Sequence, residues 1–399
     1  MDTGISRWVW GGAERRPKPI RRAFLLLSCV LVALVLAVGC GRPAPTLTAV
    51  VPTLTDLAAW TASPTDTPGV TLTITPTPRP TSAPSATATQ TQAPTAAPTS
   101  TPTPTIAVSP TAHPMEAYTI DNLRERAYPG GQIEVRWMYT ATAAYTRYFI
   151  AYPSDGLTIT GVMCVPRGQG PFPVVIMNHG YIAPSEYWSG ADTWYPSEYL
   201  AERGYLTIAP DFRGWGKSDF GTNFLRTGLV IDALNLVSSL PSLPKADPER
   251  VGMWGHSMGG GAAAKAIVID ARIKAAVLYA PVSADDWQVW QTWGPWMVDF
   301  VPDDPFLVVE RNALADPRFL HRMSALYYMD CVTAAVQIHQ GMKDVVTPPE
   351  WSAAIHDALN RAGKRVEYYA YEGQGHAIEG PDWALFMRRV TRFFDEHLR

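Results

Sequence analysis

The chain has 399 residues, a formal net charge of −3, 47% hydrophobic residues and four cysteines. That length can bury a sizeable core without disulfide staples, and the charge argues against a nucleic-acid binder held by a basic surface. The averages hide an uneven chain, because 15 of its 36 prolines lie between Gly41 and Ala117.

The N-terminus comes first. Arg15, Arg16, Lys18, Arg21 and Arg22 precede an apolar run from Ala23 to Val38. The run is shorter than the ~20 residues that span a bilayer comfortably. A basic flank, an apolar core and small residues after it describe a secretory signal. Its end, Leu36-Ala37-Val38-Gly39-Cys40, resembles the lipobox of bacterial lipoproteins. In that motif the cysteine is acylated and becomes the new N-terminus. Residues 1–39 are therefore expected to be a lipoprotein-type signal peptide, with Cys40 the lipidation site. The chain would then be anchored to the membrane by lipid and face the cell surface. The alternative is an uncleaved signal anchor, with Cys40 incidental; both put the remainder outside the cytoplasm.

Residues 40–117 repeat Thr-Pro and Ala-Pro units, as in Thr75-Pro76-Thr77-Pro78. Proline removes backbone donors and favours extended polyproline II. Apolar periodicity is too sparse to bury a core, so a disordered tether is expected. Fully extended, it would reach about 240 Å at ~3.1 Å per residue.

Residues 118–399 read as one folded domain. Short apolar runs occur at Phe149–Tyr152, Val162–Val165, Val174–Met177, Leu206–Ala209, Val251–Trp254, Ala275–Tyr279, Ala335–His339 and Val366–Tyr371. Helix-like stretches lie at Trp194–Arg203, Leu225–Leu240, Met258–Asp270, Pro349–Ala362 and Trp383–Leu398. Turns separate the first three runs, and helices separate most later ones. An antiparallel start followed by βαβ repeats predicts an α/β fold: a mostly parallel, eight-stranded twisted sheet with helices on both faces. Sites in such sheets lie at the carboxyl ends of the strands.

Val251-Gly252-Met253-Trp254 runs straight into Gly255-His256-Ser257-Met258-Gly259, a G-x-S-x-G pattern. A sharp strand-to-helix turn there would lift the Ser257 hydroxyl above the sheet at a helix N-terminus. The Met258 amide could then stabilise developing negative charge. The pattern alone is weak, and its bland reading is a Gly/Ser turn; the apolar strand before it and the small residues after it strengthen the nucleophile reading.

A serine needs a base, and His376 in Gly373-Gln374-Gly375-His376 follows the last predicted strand. The rivals are His256, one residue from the nucleophile and so pointing elsewhere, and His339, His356 and His397, which fit structural or surface roles. Asp344, on the loop after the strand ending at His339, is the expected orienting carboxylate, with Asp330 and Asp382 as alternatives. The order Ser257, Asp344, His376 is that of α/β-hydrolases. Val174–Met177 leads into Asn178-His179-Gly180-Tyr181, where the Tyr181 amide is the candidate second oxyanion donor.

These pieces resemble the α/β-hydrolase superfamily, and most closely the catalytic domain of the prolyl-oligopeptidase-like serine peptidases. The resemblance rests on Asn178-His179-Gly180, Pro210 to Ser218, Gly255 to Gly259, Gly341 to Asp344, and Gly375-His376, across most of residues 145–399. It implies a serine nucleophile and no cofactor, with Asp211 and Arg213 buttressing the active-site loops. Many such peptidases carry a β-propeller before the catalytic domain. The tether occupies that region here, which sets ester substrates beside peptides.

An insertion at about 283–330 is expected to cap the site. Its Trp287, Trp290, Trp293 and Trp296, spaced by three, would either wall a pocket or pack a helix onto the domain. His179, Trp188, Trp287 and Trp290 are the candidate pocket residues. No C-x-x-C or H-E-x-x-H occurs, so no metal is expected. Whether Cys164 and Cys331 pair is open. The expected function is hydrolysis of a small-molecule ester or a peptide through an acyl-enzyme, with no nucleic-acid partner. The alternative is a surface-displayed binding module on an inactive hydrolase scaffold.

Overall fold

A computed structural model describes residues 115–300 and 316–399, with backbone alone over 294–300. The expected signal peptide, Cys40, the tether up to residue 114 and the Trp296 side chain lie outside the described residues, as does part of the insertion. Met115 to Ala117, expected in the tether, instead open the folded region, with Met115 buried in a cluster with Phe224.

Among the described residues nine strands form one sheet in the order β1-β2-β3-β5-β4-β6-β7-β8-β9. They are β1 (Glu134–Ala141), β2 (Tyr145–Ser154), β3 (Leu157–Pro166), β4 (Phe172–Asn178), β5 (Leu206–Pro210), β6 (Ala246–His256), β7 (Ile273–Tyr279), β8 (Ala335–Gly341) and β9 (Val366–Tyr371). The pairs β1/β2, β2/β3 and β3/β5 are antiparallel. Every other pair is parallel. All eight apolar runs fall inside strands. The ninth strand, β1, was not expected, because it is an exposed edge. Its burial pattern does not alternate, and two register shifts against β2 break the period-two signal.

The described helices are α1 (Ile120–Glu125), α2 (Trp194–Ala201), α3 (Thr227–Ser239), α4 (Met258–Ile269), α5 (Asp286–Phe300), α6 (Pro317–Met323), α7 (Pro349–Arg361) and α8 (Gly380–Leu398). The chain passes from β4 to β5 in one direction across the sheet and from β5 to β6 in the other. Right-handed crossovers then put α2 on one face and α3 and α4 on the other. On the α2 face, Leu200 joins Phe386, Val390, Phe393, Phe394 and Leu398 of α8 over Val175, Met177, Trp254 and Val277. The reversal of direction falls between β4 and β6, and the carboxyl ends of strands at such a switch point are where open α/β sheets bind their ligands.

Helix α4 is buried along its whole length, Gly259-Gly260-Gly261 and Ala262 to Ala264 included. Small side chains let its backbone approach the sheet closely. Its one cation, Lys265, donates to Asp286 Oδ2 at 2.6 Å, and Arg226 lies 3.3 Å from Oδ1 of the same carboxylate. This buried cluster ties the start of α5 to α4. Trp287 and Trp290 are partly buried against a satellite cluster of Met115, Phe224, Leu225, Phe319, Leu320 and Met323. Trp293 meets Trp351 of α7 edge-on at 5.3 Å. Three of the four tryptophans thus serve to pack the insertion. Cys164 and Cys331 are free thiols; Cys164 is buried and accepts from Arg147 Nε at 3.1 Å.

Candidate active site

Ser257 sits between β6 and α4 with φ 54° and ψ −116°, a backbone conformation rarely adopted by a non-glycine residue. The turn leaves no room for side chains on either flank. A Cβ on Gly255 would strike the Gly259 carbonyl, and one on Gly259 would strike the Asn178 carbonyl of β4. That is the physical content of the two glycines in the motif. The Ser257 amide donates to the Tyr279 carbonyl of β7 at 2.9 Å. Its own carbonyl accepts from Gly261 and Val282 at 3.1 and 3.0 Å. The residue is 8% exposed. Met258 is the first residue of α4, so its amide belongs to the turn that lacks intrahelical acceptors.

Asp344 and His376 come together, although β8 and β9 carry them on separate loops. His376 Nδ1 lies 2.8 Å from Asp344 Oδ2. A carboxylate only accepts, so the imidazole proton sits on Nδ1 and Nε2 presents a lone pair. The carboxylate is fully engaged. Oδ1 accepts the Val346 and Thr347 amides at 2.8 and 2.9 Å, and Oδ2 accepts the Thr347 hydroxyl at 2.7 Å. Burial would raise the Asp344 pKa, but the bonds from His376 and Thr347 outweigh it and hold the carboxyl at about 2. Asp382 instead accepts from Gln374 Nε2 at 2.8 Å, bracing the histidine loop from α8.

Two contacts bring this pair to the serine turn. The Ile378 amide donates to the Tyr279 hydroxyl at 2.5 Å, and Thr347 Oγ1 lies 3.0 Å from the Ala280 carbonyl. A Cβ on Gly341 would strike the Gly375 carbonyl, so the acid and histidine loops touch backbone to backbone. The described hydrogen bonds include none between Ser257 Oγ and His376. In unliganded enzymes that bond is often long and tightens when substrate enters.

The loop after β4 supplies the remaining parts. His179 is 1% exposed. Its Nδ1 lies 2.7 Å from the Gly180 carbonyl and its Nε2 lies 3.1 Å from that of Asp211. Its ring packs on Tyr187 and Phe212. It is a post under the loop rather than an open wall. Tyr181 is 51% exposed and Trp188 53%, and Trp188 lies edge-on to Trp194. Asp211 accepts from Thr160 and Ser189 on Oδ2 and from Tyr187 on Oδ1, while Arg213 forks onto Asp232. Both brace loops, as the resemblance implied. His339 is buried between Gln337 Oε1 and the Tyr371 hydroxyl, each at 2.8 Å.

Sequence reasoning missed Asp192 and set His256 aside. His256 pairs with Asp192, its Nδ1 lying 2.9 Å from Oδ1. Sequence reasoning also missed Thr347, whose amide and hydroxyl hold Asp344; the threonine three residues beyond Asp344 was the signal available. Among the described residues no group of His, Cys, Asp or Glu side chains is arranged to hold a metal.

A mostly parallel sheet, a strained serine elbow at its switch point and histidine and carboxylate loops on the same edge define an α/β-hydrolase fold. The family model of the prolyl oligopeptidase family, peptidase S9, matches residues 192–399, just over half of the chain, and the chain belongs to that family. Esterase FrsA of Shigella boydii serotype 18 is 30% identical over 129 residues, which is 32% of this chain and 30% of that protein. An acetyl xylan esterase from Paenibacillus sp. R4 superposes with a TM-score of 0.52 at 20% identity, covering 70% of this chain and 92% of that one. The uncomplexed acylaminoacyl peptidase of Pyrococcus horikoshii gives 0.52 at 21% identity, covering 63% and 42%. These two likenesses establish the fold. The chain spans less than half the length of the curated relatives it matches.

Proposed function

We propose that the protein is a serine hydrolase that cleaves carboxylic ester or peptide bonds through an acyl-enzyme. His376 Nε2 removes the Ser257 hydroxyl proton as Oγ attacks the carbonyl carbon. Asp344 holds the Nδ1–H tautomer and stabilises the imidazolium. The Met258 and Tyr181 amides receive the oxyanion, each contributing about 2.7–4 kcal/mol to barrier reduction. His376 then protonates the leaving alcohol or amine. Water, deprotonated by the same ring, releases the acid and restores Ser257.

The observation that carries this reading is the 2.8 Å His376–Asp344 pair on the sheet edge where Ser257 holds its strained turn. The family match and the esterase and peptidase names among its relatives support the same chemistry. The test is a fluorophosphonate probe, with p-nitrophenyl esters and peptide anilides as substrates. Wild type should be labelled at Ser257. Ser257→Ala should fold, stay unlabelled and lose on the order of a millionfold in kcat. Hydrolysis retained in that variant would overturn the reading, and a wild type that neither labels nor turns over would favour a binding module.

We propose further that residues 1–39 act as a lipoprotein-type signal and that Cys40 carries a lipid anchor holding the chain at the cell surface. Metabolic labelling with a fatty-acid analogue, lost in Cys40→Ala, is the corresponding test.

A further inference from the structure

A second histidine–carboxylate pair sits beside the nucleophile, and the reaction scheme does not use it. His256 Nδ1 lies 2.9 and 3.0 Å from the two oxygens of Asp192. Asp192 Oδ2 also accepts the Gly180 amide at 2.7 Å, the residue before Tyr181. On the far side of the ring, His256 Nε2 is 3.4 Å from the His376 carbonyl, a long contact. The ring stacks on Tyr279 at 4.3 Å and lies 4.8 Å from the His376 ring. Asp192 holds φ 67°. Strain kept next to a site marks a residue whose surroundings over-determine it.

The proton count follows from these contacts. A neutral imidazole has one N–H. The carboxylate claims it at Nδ1, and the Nε2 lone pair would then face the His376 carbonyl oxygen. Only the imidazolium donates to both. Burial pushes the His256 pKa down, but the charge and hydrogen bond of Asp192 outweigh it and hold the ring above 6.5. Burial likewise opposes the Asp192 charge, and the same pair holds that carboxyl below its ordinary range. The groups around the ring are Asp192 from the loop after β4, Tyr279 from β7, His376 from the loop after β9 and, further off, Asp344. Trp254 approaches from its own strand.

We propose that His256, as an imidazolium, is a positioning residue that ties the oxyanion loop to the histidine loop. Asp192 passes the tie to Gly180 and so to the Tyr181 amide; Nε2–H passes it to the backbone of His376. The proposal rests on the triad reading above. A histidine whose folded pKa is raised contributes its order below that pKa and loses it as pH rises through it. Hydrolysis therefore falls on the alkaline side, although no member of the resting triad requires a proton lost there.

The test uses the full chain as wild type, His256→Gln and Asp192→Asn. Fluorophosphonate labelling of wild type first checks the triad independently. Steady-state hydrolysis of p-nitrophenyl acetate is then followed from about pH 5 to 10 to trace both limbs. The His256 ring is titrated by NMR after carbon-13 histidine labelling. The variants should lose between about tenfold and a hundredfold in kcat with KM little changed. The alkaline limb should be absent from His256→Gln. The His256 midpoint should lie above 6.5 in wild type and drop in Asp192→Asn. A labelled wild type with an unchanged alkaline limb in His256→Gln overturns the tie and leaves the triad standing. An unlabelled, inactive wild type overturns the triad instead. The NMR midpoint then decides the tie alone, and a value at or below 6.5 rejects it.

Discussion

Tyr279 holds Ile378 through its hydroxyl, which accepts the Ile378 amide at 2.5 Å. The carbonyl of the same tyrosine accepts the Ser257 amide at 2.9 Å. One residue at the end of β7 therefore spaces the serine turn from the histidine loop. Tyr279→Phe removes the acceptor and leaves a buried amide unpaired, which costs about 1–3 kcal/mol. Urea unfolding should record that loss. The fluorophosphonate labelling rate should fall as well, because the histidine loop loses its anchor. Unchanged stability and labelling would show that the loop is held elsewhere.

Asp344 gives a pH signature of its own. Its carboxyl titrates at about 2 against an ordinary 3.8. A depressed carboxyl stabilises the folded chain above its unfolded value, and that contribution drains away as pH falls through the folded one. Wild type should therefore lose stability between about pH 4 and pH 2 on this account. Asp344→Asn should lack that part of the slope, which denaturant titrations at stepped acidic pH will measure.

Gly259→Ala tests the tightness of the elbow. The new methyl would press on the Asn178 carbonyl, which is backbone and cannot swing aside. Overpacking of this kind costs about 1–3 kcal/mol, and the Met258 amide should be displaced with it. A lowered Tm together with lost probe labelling is the expected result. A variant with wild-type Tm would show that the strands can part.

Lys265→Met tests how the insertion is fastened. It leaves the buried Asp286 carboxylate with only the longer Arg226 contact. Breaking a buried pair from one side costs about 3–5 kcal/mol, and the remaining arginine puts this case near the lower end. Urea unfolding should show the loss. Protease sensitivity within α5 should rise with it.

Much of this was legible in the chain. The apolar runs became strands because β4 to β8, in the parallel part of the sheet, are buried along those runs on both faces, where a strand reads as an unbroken apolar word; the edge strand β9 is mostly half-buried. β1 escaped because Trp137, Met138 and Tyr139 are all exposed there, so nothing alternated. Ser257, Asp344 and His376 could be proposed because each follows a strand at a recognisable turn. Asp192 could not: it sits in an irregular loop, and its meaning comes from His256, 64 positions away. The tryptophans spaced by three left open a pocket wall or a packed helix, and a helix forms there. Which side of it faced the domain depended on Phe224, Phe319 and Trp351, partners that periodicity cannot name.

The insertion hangs from the end of β7, whereas the serine, carboxylate and imidazole hang from β6, β8 and β9. Lengthening or rewriting the segment that follows β7 would thus leave in place the strands that aim those three groups.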